Sequence, residues 1–265
     1  MPVRKGAPAL LSAGTLCAAL LLTGCASPTA PAPAPAPART TAPASGDSRP
    51  HPAPPAAGAN RLASAPVPVP RLPGVGPDTQ ALVPDGSTQA LVVTGATEDS
   101  NTSTATLYRR DPARGWIEAA GPWRAHNALQ GWTSDHTAGD LRSPIGVFRI
   151  GDAGGRLPDP GTRLPYDEDE LFDISGTGFL GEPLEGSFDH VIAIDYNRVP
   201  GRSPLDKERP LGEEKGGGVW IHVDHGGPTQ ACIALDQEAL RELLRALDPA
   251  AEPVVVMGPV RELAE

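Results

Sequence analysis

Two short runs near the end of the chain alternate apolar and polar positions on either side of a turn. Val219, Ile221 and Val223 interleave with Trp220 and His222; beyond Gly226-Gly227-Pro228, Ile233 and Leu235 interleave with Cys232 and Ala234. A period of two marks a strand with one buried face, so the pattern predicts two strands joined as a hairpin around the Gly-Gly-Pro turn. With the apolar series inward, His222 and Cys232 both fall on the opposite face, at the two stems of one loop.

The rest of the pattern is also mostly that of strands. Residues 89–94 form a buried apolar run, and 103–109 with 115–119 read as a hairpin around Asp111-Pro112-Ala113-Arg114. Further short strands are expected over 147–150, 191–196 and 253–257. One helix is well signalled: Asp236 suits the N-cap, Leu240, Leu243, Leu244 and Leu247 make the apolar stripe, and Pro249 ends it. The expected class is mainly β (α+β), with that helix packed on the sheet directly after the cysteine strand. Residues 151–190, rich in glycine, proline and acid, read as long loops. Asp167-Glu168-Asp169-Glu170 within them lack the alternating ligands and glycine of a calcium loop and read as a solvated acidic loop.

Composition divides the chain. Thirty-two prolines among 265 residues are too many for one compact fold, and they crowd toward the N-terminus. Residues 1–24 read as an export signal: Arg4 and Lys5, an apolar run over 7–22, then Leu22-Thr23-Gly24-Cys25. That tetrapeptide resembles the bacterial lipobox. The resemblance implies cleavage before Cys25, diacylglyceryl attachment to its sulfur, and anchoring to the outer face of the cytoplasmic membrane. An ordinary signal peptide, or a short membrane helix with an incidental cysteine, is the alternative. Residues 25–75, an Ala/Pro/Ser/Thr tract including a run of Ala-Pro pairs, have almost nothing to bury and read as a disordered spacer of polyproline II character. Fully extended at about 3.1 Å per residue it would reach on the order of 140 Å; a tether with no set reach fits equally well. The folded domain is then 76–265.

Net charge is −10, and the first 70 residues carry five basic groups against Asp47 alone, so the folded part is the more acidic. Nucleic acid is excluded as a partner by that balance. Of three cysteines, the lipobox resemblance implies that Cys17 leaves with the signal and Cys25 carries lipid, so Cys232 would be the one thiol left and no intrachain disulfide would form. Such a thiol is either reactive or a small buried structural residue.

A thiol with a pKa of about 8.5 is only slightly ionised at neutral pH, so use as a nucleophile needs a base. His222 is the candidate, because strand register brings it to the thiol's face. His126, His136, His190 and His225 lack that argument and are expected on the surface or in loops, although His225 is close in sequence. Attack on a carbonyl also needs oxyanion donors. The N–H groups of Gln230, Ala231 and Cys232 are candidates; Thr229 could donate too, or could shape the turn. A metal held by His222, His225, Cys232 and Asp224 is chemically conceivable, but the spacing resembles no known zinc peptidase, and neither metal nor organic cofactor is expected.

These residues resemble the catalytic motif of the L,D-transpeptidases, the YkuD-type domain. That family carries an upstream histidine on a strand and a terminal Ser/Thr-His-Gly-Cys element, matched here by Ile221-His222 and Thr229-Gln230-Ala231-Cys232. Gly139-Asp140 followed by Ser143-Pro144-Ile145-Gly146-Val147-Phe148 resembles the family's Thr/Ser-Pro-x-Gly-x-Phe strand, and Ile194-Asp195-Tyr196-Asn197-Arg198 resembles actinobacterial members with a compact loop. The resemblance spans about residues 88–258. NlpC/P60 enzymes place the cysteine before the histidine, and sortases need a downstream strand arginine where Arg241 falls on the predicted helix. The chain departs from the pattern at Val223 (glycine in the family), at Gln230-Ala231 (His-Gly) and at Ala234 (Arg or Asn).

The resemblance implies a β-sandwich fold and acyl transfer without a cofactor. Cys232, activated by His222, would attack the third-residue carbonyl of a peptidoglycan stem tetrapeptide and release D-alanine, with Thr229, Gln230, Ala231, Trp220 and Tyr196 as oxyanion or substrate-positioning residues. An amine of a second stem would resolve the thioester into a 3→3 cross-link; water would give carboxypeptidase action. An inactive peptidoglycan-binding lipoprotein is the competing reading. Stem peptides, and the membrane through Cys25, are the expected partners of a monomer.

Overall fold

A computed structural model describes residues 71–265. The export signal, Cys25 and nearly all of the expected spacer lie outside the described residues. Described in chain order are α1 (Pro77–Ala81), β1 (Gln89–Gly95), β2 (Thr102–Asp111), β3 (Gly115–His126), β4 (Trp132–Thr133), β5 (Ser143–Pro144), β6 (Gly146–Arg149), β7 (Asp152–Gly155) and β8 (Tyr166–Glu168). There follow β9 (Val191–Ala193), β10 (Trp220–Val223), β11 (Ile233–Leu235), α2 (Gln237–Ala246), β12 (Val254–Pro259) and α3 (Val260–Leu263). The class is mainly β, as expected.

Ten strands form one continuous curled sheet in the order β6-β12-β1-β2-β3-β11-β10-β9-β7-β8, and β4 pairs with β5 in a small second sheet. Curling lets both halves of the large sheet feed one apolar cluster: Leu91, Leu107, Ile192, Ile221, Ile233 and Val255 meet there. β1 is apolar at successive positions because both its faces are covered. Leu91 and Val93 enter that cluster, while Ala90 and Val92 enter a second one with Leu72, Trp116, Val254 and Val256. Leu72 and Val75 are buried, so the folded body includes the end of the segment read as spacer.

The helix forms for the reasons its sequence gives. Asp236 accepts from the Glu238 N–H as N-cap, Leu240, Leu243 and Leu244 are fully buried in the main cluster, and Leu247 turns to an extended conformation ahead of Pro249. Burying such side chains is worth roughly 1.5–3 kcal/mol each, so α2 pins the sheet immediately after β11. The β2–β3 turn also forms as expected, with Asp111 Oδ1 accepting from the N–H groups of Ala113 and Arg114. β3 runs on to His126, however, well past the expected end. Its Gly121-Pro122 pair lies within the stretch where the β2–β3 pairing shifts register.

Residues 151–190 are not all loop. β7 and β8 pair with each other, and β7 also pairs with β9. Asp-Ala-Gly-Gly has no strand signature because its glycines are there for clearance: a Cβ on Gly154 would sit 2.6 Å from the Asp167 carbonyl oxygen, and one on Gly155 2.2 Å from that of Asp189. The acidic run is likewise half strand, since β8 includes Asp167 and Glu168.

Candidate active site

Strand pairing places the thiol. β10 and β11 are parallel neighbours with Ile221 opposite Ile233 and His222 opposite Ala234, so the expected hairpin is absent. Residues 224–232 do not fold straight back. They dock on the end of β3, where the Thr229 N–H donates to the Asn127 carbonyl at 3.0 Å and the Leu129 N–H to the Thr229 carbonyl at 2.9 Å. Side-chain parity does not depend on strand direction, so His222 and Cys232 still share a face. Val219, Ile221, Ile233 and Leu235 enter the core, and His222 and Cys232 both line one cleft of about 450 Å³ on the other side.

The sulfur is held by backbone. The Trp220 N–H donates to Cys232 Sγ at 3.4 Å, and Sγ–H donates to the Gly218 carbonyl at 3.6 Å. Burial pushes the thiol up to about 11, opposed only by the Trp220 N–H. His222 is 3 % exposed, and burial drives its pKa down to about 4. Its Nδ1–H donates to the Val223 carbonyl at 2.9 Å. A carbonyl only accepts, so Nδ1 carries the hydrogen and the Nε2 lone pair stays available as a base. The ring is set edge-on to Phe188, centroids 5.4 Å apart. Thiol and imidazole are both neutral near pH 7, which suits proton transfer during attack rather than a standing thiolate–imidazolium pair.

Donors for a developing oxyanion are present next to the sulfur. Among the described residues, the N–H groups of Gln230, Ala231 and Cys232 donate to no protein acceptor. Gln230, Ala231 and Cys232 line the cleft. Thr229 lines it too, but its hydroxyl donates to the Cys232 carbonyl at 2.6 Å, so Thr229 shapes the turn. Trp220 and Tyr196 are not in the lining. Trp220 packs against Phe172 and Phe188 behind the wall. Tyr196 donates to the Lys215 carbonyl at 2.9 Å and meets His136 edge-on, bracing the glycine run ahead of β10.

No protein-family model matches this chain, and no curated protein matches it. What the cleft can do therefore rests on its own geometry.

Of the histidines expected on the surface or in loops, His136, His190 and His225 lie in loops, while His126 ends a strand; His136 also lines the cleft. His136 and His190 are buried, and His126 ends β3 with Nδ1 2.9 Å from Asp224 Oδ1. His225 lines the cleft, its ring stacked on that of His222 with centroids 5.8 Å apart and planes 11° apart. Strand parity would have put residues 222 and 225 on opposite faces; β10 ends at Val223, and beyond it parity has no meaning. Glu182 accepts from His225 Nδ1 at 3.1 Å. Its carboxylate also accepts from the Leu180 N–H at 2.7 Å, and hydrogen bonds from its own and the Leu180 N–H hold its pKa below the usual range. Glu182 and Phe188 come from 151–190, where no period exists to reveal them. Among the described residues, no three His, Cys, Asp or Glu side chains converge as a metal site.

Proposed function

We propose that this protein is a cysteine acyltransferase of the L,D-transpeptidase type, acting on peptidoglycan stem tetrapeptides and forming 3→3 cross-links. The supporting observation is the pairing of His222 and Cys232 in one cleft with unused N–H donors at residues 230–232. In the acylation step His222 Nε2 takes the thiol proton as Sγ attacks the carbonyl of the third stem residue. Charge on the carbonyl oxygen is met by the N–H groups beside the sulfur. Collapse of the adduct breaks the bond to D-alanine, whose nitrogen takes the proton back from His222. A pKa of about 4 makes the protonated imidazole a strong acid, well suited to that second transfer.

The export signal and lipidated Cys25 belong to the same proposal, since stem peptides lie outside the cytoplasmic membrane. Among the described residues no helix is long and apolar enough to cross a membrane.

The test is incubation of the protein with a carbapenem and, separately, with disaccharide tetrapeptides, followed by intact mass and product analysis. A covalent adduct lost in Cys232→Ala, with D-alanine release and cross-linked dimers, is the expected result. Tripeptides alone would reassign it as a carboxypeptidase. No adduct and no release would leave a peptidoglycan-binding module.

A further inference from the structure

The second half-reaction calls for a proton acceptor of its own, or for His222 used again. An amine that attacks the thioester becomes cationic as its C–N bond forms and must lose a proton before Cys232 is expelled cleanly. His222 is neutral again by then, but it is buried, and burial holds its pKa down to about 4, which makes it a weak acceptor for an ammonium proton.

Resting on the transpeptidase reading, we infer that His225, held by Glu182, is the general base for the acyl acceptor, so that the two stacked histidines divide the two half-reactions. Its ring is parallel to that of His222 and it lines the same cleft. Nδ1 is bound to Glu182 Oε1, which fixes the tautomer and leaves Nε2, at the far side of the ring, as the proton acceptor. Glu182 itself is locked in place. A Cβ on Gly178 would stand 2.1 Å from its Oε1 and one on Gly227 2.0 Å, so the carboxylate packs directly against both backbones and would have to shift if either glycine gained a side chain. The Glu182 side chain is 12 % exposed and is held by the Leu180 N–H and by His225. The charged and titratable groups facing His225 are Glu182, His222 and the neighbouring Asp224, whose Oδ1 is already engaged by His126 and the Gly226 N–H. The cleft lining contains no Lys, Arg, Asp or Glu; its one other histidine, His136, is buried with Nδ1 3.0 Å from Asp140 Oδ1 and its ring edge-on to Tyr196.

In the second half-reaction the acceptor nitrogen bonds to the thioester carbon and its extra proton passes to His225 Nε2. The C–S bond breaks and the sulfur leaves as thiolate. His225 releases its proton to solvent and the thiolate takes one back, restoring the neutral pair.

The experiment follows the two halves separately in the full-length protein, with a disaccharide tetrapeptide as donor and glycinamide as acceptor. Intact mass reads acyl-enzyme loading, and amide product reads its consumption. His225→Gln is expected to load acyl within about threefold of the native rate and to lose about 100-fold in amide formation. Added imidazole is expected to restore amide formation in His225→Ala, a rescue that a merely structural role would not give. Glu182→Gln, which keeps the shape and an acceptor for Nδ1–H, is expected to lose about tenfold in amide formation alone. Unchanged amide formation in His225→Gln, or loading that falls in step with it and is not rescued, overturns the assignment. Native protein that never loads acyl overturns the transpeptidase reading, and this inference with it.

Discussion

The Trp220 N–H donates to the sulfur of Cys232 from 3.4 Å, across the parallel register of β10 and β11. The strand that carries the base thus also fixes the thiol, and the two cannot drift apart without breaking the sheet. That hydrogen bond favours the thiolate, but burial outweighs it and the thiol is pushed up to about 11.

Alkylation tests this balance. The thiolate is the reacting species, and with a pKa of about 11 it is about one part in ten thousand at pH 7. The rate of carboxamidomethylation of Cys232 should rise about tenfold per pH unit from 6 to 10 with no plateau. A thiolate already paired with protonated His222 would instead give a flat profile above about pH 5, as read by intact mass at fixed times.

His222→Asn should leave the fold intact, because the side chain faces the cleft and not the α2 side of the sheet. It should slow carbapenem acylation by about 10²–10⁴. The native acylation rate should hold with respect to the base down to about pH 4 and fall below it, where His222 takes up its proton. Adduct formation followed by mass over pH 3.5–7 checks both.

The parts of this protein that could be foreseen are those governed by a period. His222 and Cys232 were legible because parity along a strand survives even a wrong guess about strand direction. Leu240, Leu243 and Leu244 were legible because a cap, a stripe and a proline agree. The parallel pairing was not, since what prevents the hairpin is a contact between Thr229 and Asn127, about a hundred positions apart in the chain. Nor were Glu182 and His225. They meet through backbone clearance at Gly178 and Gly227, and clearance leaves no mark in a hydropathy pattern.

Gly227 offers a direct check on that clearance. Its φ is outside the left-handed region, so alanine is acceptable to the backbone, yet the new methyl would stand 2.0 Å from Glu182 Oε1. Gly227→Ala should cost about 1–3 kcal/mol, measured by urea unfolding. In a Glu182→Ala background the same substitution should cost less than about 0.5 kcal/mol, because nothing remains to collide with. Equal costs in both backgrounds would show that Glu182 is not seated between these backbones.

A buried ion cluster forms around Arg198. Arg198, 3 % exposed, reaches Asp152 Oδ2 at 2.8 Å and Asp195 Oδ1 at 2.5 Å, and its Nη2 donates to the Arg202 carbonyl at 2.6 Å. Asp152 Oδ2 also accepts from the Gly201 N–H. Two carboxylates share one guanidinium, and burial raises the pKa of Asp195 despite Arg198. Arg198→Met should therefore cost about 3–5 kcal/mol at pH 7, by leaving both acids buried without a cation. The sign of the pH dependence follows from the raised pKa. Folded Asp195 holds its proton more tightly than unfolded Asp195, so its linkage favours folding at acid pH and that contribution is lost as pH rises through the folded value. In Arg198→Met the pKa of Asp195 should climb further, and the penalty should shrink as pH is lowered from 7 toward 5. Urea midpoints at pH 5, 6 and 7 for the native protein and the variant check the trend; a penalty independent of pH would mean that packing alone accounts for the loss.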